Sequence, residues 1–268
     1  MYTTLRSLVR LVVGPKLERG KEAADYFILD GENPSNVAPV AVVSFSYLQS
    51  PSIHFATSAR QRVVRFVIIS DTHEFHDYVA VPDGDFLIHC GDILVKDRYN
   101  TAHMATTKLK AFFSWFHGHS HKHKIVIGGN HDGMLEKLQL SDAKALASPA
   151  LFAVNELFVM DGITFFASPR SEGRSKNKAF TSEEVWTAFP TAPVDVLITH
   201  QGPWTNRMVD FISNVRPRLF HACGHEHDRH GLAHVGPTPS FNGAICQGSF
   251  GRESLQRPVV VDVILPVP

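Results

Sequence analysis

The chain has 268 residues, 44% of them apolar, with 26 Lys plus Arg balanced by 26 Asp plus Glu. That size and composition suit one α/β or two-layer globular domain, and a net charge of zero offers no field to gather nucleic acid or an anionic membrane. No apolar run approaches the ~20 residues that span a bilayer, and Cys90, Cys223 and Cys246, with no C-x-x-C pair, argue against a disulfide framework or zinc knuckle and suit a reducing compartment, read as the cytoplasm.

Residues 1–17 carry Arg6 and Arg10 and no acid before Glu18, a faintly transit-like composition; an ordinary N-terminal element is the preferred reading. Residues 1–62 form an N-terminal extension without clear hydrophobic period. It has turn signals at Gly31-Glu32-Asn33-Pro34 and Ser50-Pro51 and one candidate strand at 40–45. Residues 63–268 form the main domain, where short apolar runs alternate with helical stretches in the manner of an α/β fold.

The apolar runs are 63–70, 85–90, 124–128, 195–199 and 218–223. Between the second and third, Met104, Leu109, Phe112, Phe113 and Phe116 recur at helical spacing, predicting an amphipathic helix over 103–117. A second helix is predicted over 132–147. Thr181-Ser182-Glu183-Glu184 resembles a capping box opening a short helix that ends near Phe189-Pro190. Further strands are expected at 163–167, 244–247 and 259–265. The tract His117–His123 reads as a solvated loop, and Arg170, Arg174, Lys176 and Lys178 as a basic surface loop. His89 and His221, inside strands, read as core residues or partners of the backbone. His230 is a candidate for the pocket wall, and Trp204 and Phe250 either stack on a substrate or pack.

Histidine is over-represented, with 16 copies, and it ligates metals as a neutral imidazole. Each of the five runs ends in a metal-ligand type: Asp71-Thr72-His73, Gly91-Asp92, Gly128-Gly129-Asn130-His131-Asp132, His200, and Gly224-His225-Glu226-His227. Ligands of open α/β sheets bind beyond the carboxyl ends of the strands, so five such ends would gather these groups in one crevice. Carboxylate, amide oxygen and imidazole together suit Mn2+, Fe2+, Zn2+ or Mg2+. Two such ions about 3.5–4 Å apart share a carboxylate, polarise a phosphoryl oxygen and acidify a bridging water. Asp92, on a central strand, is the candidate bridge.

The series D-x-H, G-D, G-N-H-D, H, G-H-x-H resembles the calcineurin-like metallophosphoesterase superfamily over residues 64–265. The resemblance implies a layered α/β/β/α sandwich with a dinuclear metal site at the C-terminal ends of the strands. It places Asp71, His73, Asp92 and His227 on one ion, and Asp92, Asn130, His200 and His225 on the other, with Mn2+ the leading candidate. It puts His131 beside the leaving group as proton donor or charge stabiliser, and it suggests that Asp132 orients the His131 imidazole.

Ile69-Ser70-Asp71-Thr72-His73, the Leu87–Asp92 and Lys124–His131 blocks, and Arg216-Pro217-Arg218-Leu219 narrow the resemblance to the metallophosphoesterase-domain-containing group. That group is associated with phosphodiester hydrolysis, including that of cyclic nucleotides. The implied function is therefore a phosphodiesterase acting on nucleotide-like or small phosphodiester substrates through a metal-bridging hydroxide. The alternatives are a phosphomonoesterase, or a non-catalytic interaction scaffold of the same fold. The chain departs from the group in Gln201-Gly202-Pro203, where Gly-Pro-Pro is usual, and over 168–178. Residues 92–95 lack the Val-Asp-Arg-Gly sequel of protein phosphatases, and Val95 stands where purple acid phosphatases carry a ligand tyrosine. The expected partner is a small phosphate ester, with no membrane and no dedicated nucleic-acid surface.

Overall fold

The strand Gln61–Ile69 (β2) is apolar on both faces, so it requires cover on both. In the computed structural model, which describes residues 25–30, 61–96, 101–172, 176–248 and 255–266, it receives that cover from a second sheet on one side and helices on the other. The first sheet runs, in spatial order, β1 (Asp25–Asp30), β12 (Val259–Pro266), β2, β3 (Phe86–His89), β4 (His123–Val126) and β5 (Leu151–Phe152). The second runs β10 (Gly231–Val235), β11 (Thr238–Asn242), β9 (Phe220–Gly224), β8 (Val196–Gln201), β7 (Ile163–Ser168) and β6 (Glu156–Met160). Strands β2 to β5 are parallel, as are β7, β8, β9 and β11; β12 is antiparallel to β2, and β1 is parallel to β12.

Alternation along the strands sorts the side chains into three apolar layers. Phe66, Ile68, Phe86, Ile88, Phe165, Val196 and Phe220 meet between the sheets. Val67, Ile69 and Leu87 face the helices α1 (Ala102–His117), α2 (Gly133–Lys137) and α3 (Leu140–Ala147), whose Leu109, Phe112, Phe116 and Ala143 complete that layer. Phe166 and Leu197 face α4 (Glu183–Thr187) and α5 (Asn206–Val215) through Trp186, Phe211 and Ile212. The result is an α/β/β/α sandwich, as the sequence resemblance implies. Among the described residues no helix is long and apolar enough to cross a membrane.

Several local expectations change. The helix expected over 132–147 is two helices, because Leu138 takes an extended conformation between them. Leu138 and Leu140, two apart, cannot share one helical face; the break lets Leu138 pack on the core while Leu140 is left exposed. The capping box is not formed: Ser182 is the N-cap of α4, and the Thr181 hydroxyl donates back to Lys178 O. Residues 244–247 do not form a strand but tie the sheets together. Ser70 N donates to Gly243 O (2.8 Å), Ile245 N to Ser70 O (2.8 Å) and Gly243 N to Cys223 O (2.9 Å).

The tract 117–123 is not a solvated loop either. His121 is buried, His117 Nε2 donates to Ala147 O, and His123 opens β4 stacked on Phe86. Arg170 is fully buried: its Nε donates to Ser168 Oγ, and its guanidinium lies over the Phe211 ring at 3.5 Å. Strand β1 comes from the N-terminal extension, as do Gln61 and Arg62 of β2. The transit-like residues 1–17, the turns at 31–34 and 50–51, the strand expected at 40–45, Arg174 and Phe250 lie outside the described residues.

Phe66 couples the two sheets, stacking on Phe86 at 4.8 Å within its own sheet and meeting Phe220 edge-on at 5.1 Å across the interface. Phe66→Ala is expected to lower the free energy of unfolding by about 3–5 kcal/mol, read from urea titration.

Candidate metal centre

The parallel strands of each sheet deliver their C-terminal ends to one edge of the sandwich. Asp71 and His73 follow β2, Asp92 follows β3, Asn130 and His131 follow β4, His200 is the penultimate residue of β8, and His225 and His227 follow β9. The backbone there is unusual. Asp71 (φ 51°), His73 (φ 43°), Asp92 (φ 59°) and His225 (φ 68°) all adopt left-handed conformations, each costing a non-glycine residue roughly 1–3 kcal/mol. Hydrogen bonds among the same loops offset that cost. Asp71 N donates to Gly91 O (2.8 Å), His73 N to Asp92 O (3.1 Å), His131 N to Asp92 Oδ1 (2.8 Å) and His225 N to Asp71 Oδ2 (2.8 Å). Gly129 and Gly224 leave the room required, since a Cβ on the first would strike Asp92 and on the second Ser70 and Asp71.

Among the described residues three sets of side chains present ligand atoms within 4.8 Å of one another: Asp71, His73 and His227; Asp92, His200 and His225; and His73, Asp92 and His131. Asp92 connects them, its Oδ2 lying 3.4 Å from His200 Nε2 and 3.9 Å from His73 Nε2. Asn130 Oδ1 lies 3.0 Å from His200 Nε2. All seven residues expected as ligands are therefore brought together.

The tautomers follow from the outward hydrogen bonds. His73 Nδ1 donates to Leu94 O (2.8 Å) and His200 Nδ1 to Cys90 O (2.8 Å). Their Nε2 atoms then point inward, where each meets another imidazole nitrogen: His73 Nε2 faces His227 Nε2 at 3.2 Å, and His200 Nε2 faces His225 Nδ1 at 3.2 Å. Two lone pairs at that distance repel unless a proton or cation lies between them. The titration pattern agrees. Burial pushes His73 and His225 down to about 4. Burial opposes the charge on His200 too, but the carboxylates of Asp92 and Asp71 raise it to about 10. His227 is raised against its burial by its hydrogen bond to Asp71. One member of each facing pair thus holds a proton. Burial disfavours ionisation of Asp71 and Asp92, yet the surrounding imidazoles hold both carboxyls below the usual range. A set of converging imidazoles, carboxylates and one amide oxygen fits divalent cations of intermediate hardness.

Asp132 does not orient His131. Its carboxylate accepts from the backbone N–H groups of Gly129, Asp92, Ile93 and Leu94, so its lone pairs are committed to the loops that present Asp92 and Asn130. Burial and the neighbouring Asp92 charge push its pKa up to about 7 against the pull of those amides. His131 is held instead by Val95 O, which accepts from Nδ1 at 2.5 Å, while Asn177 Nδ2 donates to Nε2 at 2.9 Å. Asn177 was not legible as a site residue because it comes from a loop of no regular pattern.

Beside the cluster opens a cavity of about 530 Å³, whose lining includes Gln201, Trp204, Thr205 and Arg229 together with several of the candidate ligands and His131. The Arg229 guanidinium carbon lies 5.8 Å from the indole centroid. His230 turns away to donate to Arg257 O and is not part of the wall.

A family model described as calcineurin-like phosphoesterase matches residues 64–229. A UPF0046 protein of Caenorhabditis elegans is 30% identical over 226 residues, 74% of each chain. Metallophosphoesterase domain-containing protein 1 of Homo sapiens is 26% identical over 246 residues, 76% of this chain and 72% of its own. A solved structure with 15% identity superposes at a TM-score of 0.51 over 68% of this chain and 90% of that one, a likeness of fold.

The Asp132 geometry has a consequence that needs no assay of activity. In Asp132→Ala four amides lose their acceptor, at about 1–3 kcal/mol for each that stays buried and unsatisfied. A clear fall in chemical stability is expected, whereas a variant as stable as the wild type would refute the role.

Proposed function

The chain belongs to the calcineurin-like phosphoesterase family, hydrolases of phosphate esters, and from that premise we propose that it is a phosphodiesterase holding two divalent cations at the strand ends. Asp71, His73, Asp92 and His227 would hold one ion, and Asp92, Asn130, His200 and His225 the other. Asp92 would be shared, since among the described residues it groups with His73 on one side and with His200 and His225 on the other. The observation that carries the proposal is the pair of imidazole–imidazole contacts at 3.2 Å, in which inward nitrogens converge while the outward nitrogens of His73 and His200 are tied to carbonyls. When bound, such ions polarise a phosphoryl oxygen and bring the pKa of a water towards neutrality. Manganese is the first choice.

The remaining chemistry belongs to the protein. His131 borders the cavity with its Nδ1 proton spent on Val95 O and its Nε2 accepting from Asn177 Nδ2, so Nε2 is the atom able to take up a proton in place of that contact. As the imidazolium it would donate from Nε2 to the departing ester oxygen, or stabilise negative charge there. Its Nε2 lies 3.8 Å from Asp92 Oδ2. The cavity exceeds the needs of inorganic phosphate, and Trp204 with Arg229 offers a flat apolar face and a cation to an organic arm. Both features favour a diester, with a nucleotide-like group as the leading class. The complete set of candidate ligands supports the enzyme over the scaffold alternative.

Hydrolysis of bis-p-nitrophenyl phosphate by manganese-loaded protein tests the proposal, and an inert wild type overturns it. Asp92→Asn is expected to lose both ions and nearly all turnover. His131→Ala should keep its metal while kcat falls about 10²–10⁴-fold; loss of metal in that variant would make His131 a ligand instead.

Metal must displace the proton that the neighbouring carboxylates hold on His200, raised to about 10 against its burial, so binding should release protons to the buffer. Apparent affinity is expected to rise with pH through neutrality, by up to about tenfold per pH unit for each proton displaced. Calorimetry in buffers of different ionisation enthalpy measures the release. Affinity independent of pH between 6 and 8 would exclude it.

A further inference from the structure

Two buried histidines lie beneath the metal centre without touching it. His89, the last residue of β3, and His221, in β9, are both fully buried. Burial lowers the pKa of each to about 3, so both are neutral imidazoles with one donor and one acceptor nitrogen.

Their hydrogen bonds fix which nitrogen is which. Gly91 N donates to His89 Nδ1 at 3.2 Å, so the proton sits on Nε2 and is donated to Thr72 Oγ1 at 3.0 Å. In β8 the Thr199 hydroxyl donates to Gln201 O at 2.6 Å and so accepts from His221 Nε2 at 2.7 Å; His221 Nδ1 then accepts from Ser240 Oγ at 2.6 Å. Both imidazoles are Nε2–H tautomers, and both give that proton to a threonine.

The threonines occupy equivalent places in the two halves of the site. Thr72 stands between Asp71 and His73, each held in the left-handed region. Thr199 precedes His200, and its bond to Gln201 O spans that residue. The pairing of β8 with β9 slips its register there, between Ile198 and Gln201. In each half, an imidazole from the neighbouring parallel strand anchors the hydroxyl around which the ligand-bearing turn is folded.

We propose that His89 and His221 are positioning residues, one for each half of the metal centre: His89 fixes Asp71 and His73 through Thr72, and His221 fixes His200 through Thr199. This rests on the two-ion reading above. Partners that orient ligands from behind typically account for about 10–100-fold in metal affinity. Because the two clamps share no atom, each should govern one ion and leave the other in place.

The test is manganese titration of the full chain followed by electron paramagnetic resonance. Thr72→Val and Thr199→Val keep shape and volume but remove the hydroxyl. Each is expected to weaken one of the two ions about 10–100-fold. At limiting metal the coupled two-ion signal should give way to the six-line signal of an isolated ion, with the double variant losing both. Thr72→Ser and Thr199→Ser keep the hydroxyl and should retain both ions. His221→Leu should behave as Thr199→Val, whereas His221→Gln, whose amide donates to Thr199, should retain the ion.

Single valine variants that keep two ions at wild-type affinity would overturn the inference, as would serine variants that lose metal as readily as the valine ones. If a valine variant does not fold, the two His221 variants decide by the same readout. A wild type that takes up no manganese refutes the two-ion reading and this inference with it. A wild type with two ions beside indifferent variants refutes this inference alone.

Discussion

Lone pairs that face one another in a buried site cannot stay uncompensated, and the functional edge of this protein is arranged around that constraint. His73 and His227, and His200 and His225, approach nitrogen to nitrogen in surroundings where the two nearby carboxylates are also buried. Without metal each pair is reconciled by a single proton. The left-handed turns, the glycines without room for a Cβ and the Asp132 carboxylate all hold the pairs at that separation rather than letting them relax apart. Such preorganisation favours a small multivalent cation, because the geometric cost of gathering the ligands is met on folding and not on binding.

Much of this was legible in the sequence for a specific reason. Doubly covered parallel strands read as continuous apolar runs, so their ends are easy to locate, and the residues at those ends carry the chemistry. Asp71, Asp92, Asn130, His200, His225 and His227 therefore converge as the runs imply. The α/β/β/α layering follows from the same runs and from the amphipathic helix α1.

What escaped has a common physical origin. The four amides bound by Asp132 are backbone groups, and backbone donors leave no trace in the residue pattern; an aspartate next to His131 looked like its partner when it is the loop's own acceptor. The helical period across 132–147 gave no warning of the extended Leu138, because tertiary packing decides which leucine enters the core. Residues 244–247 have the composition of a strand but bridge two sheets instead of extending either. Arg170 reads as a surface cation, whereas the Phe211 and Trp186 rings cover it in the fold. Residues His89 and His221 gave only a weak signal, since a histidine inside a strand is commonly a satisfied core residue.

The tie between Ser70 and the 243–245 segment bears on the order in which the molecule is built. It joins residues more than 170 positions apart, and Asp71 takes its bonds from His225 and His227 across a similar span. Closing loops of that length is entropically slow. The first sheet itself closes only when β12 returns from the far end of the chain to pair with β2. The candidate ligands from its loops meet His225 and His227 only where the two sheets are docked, so the donor set is a property of the finished fold and of neither sheet alone.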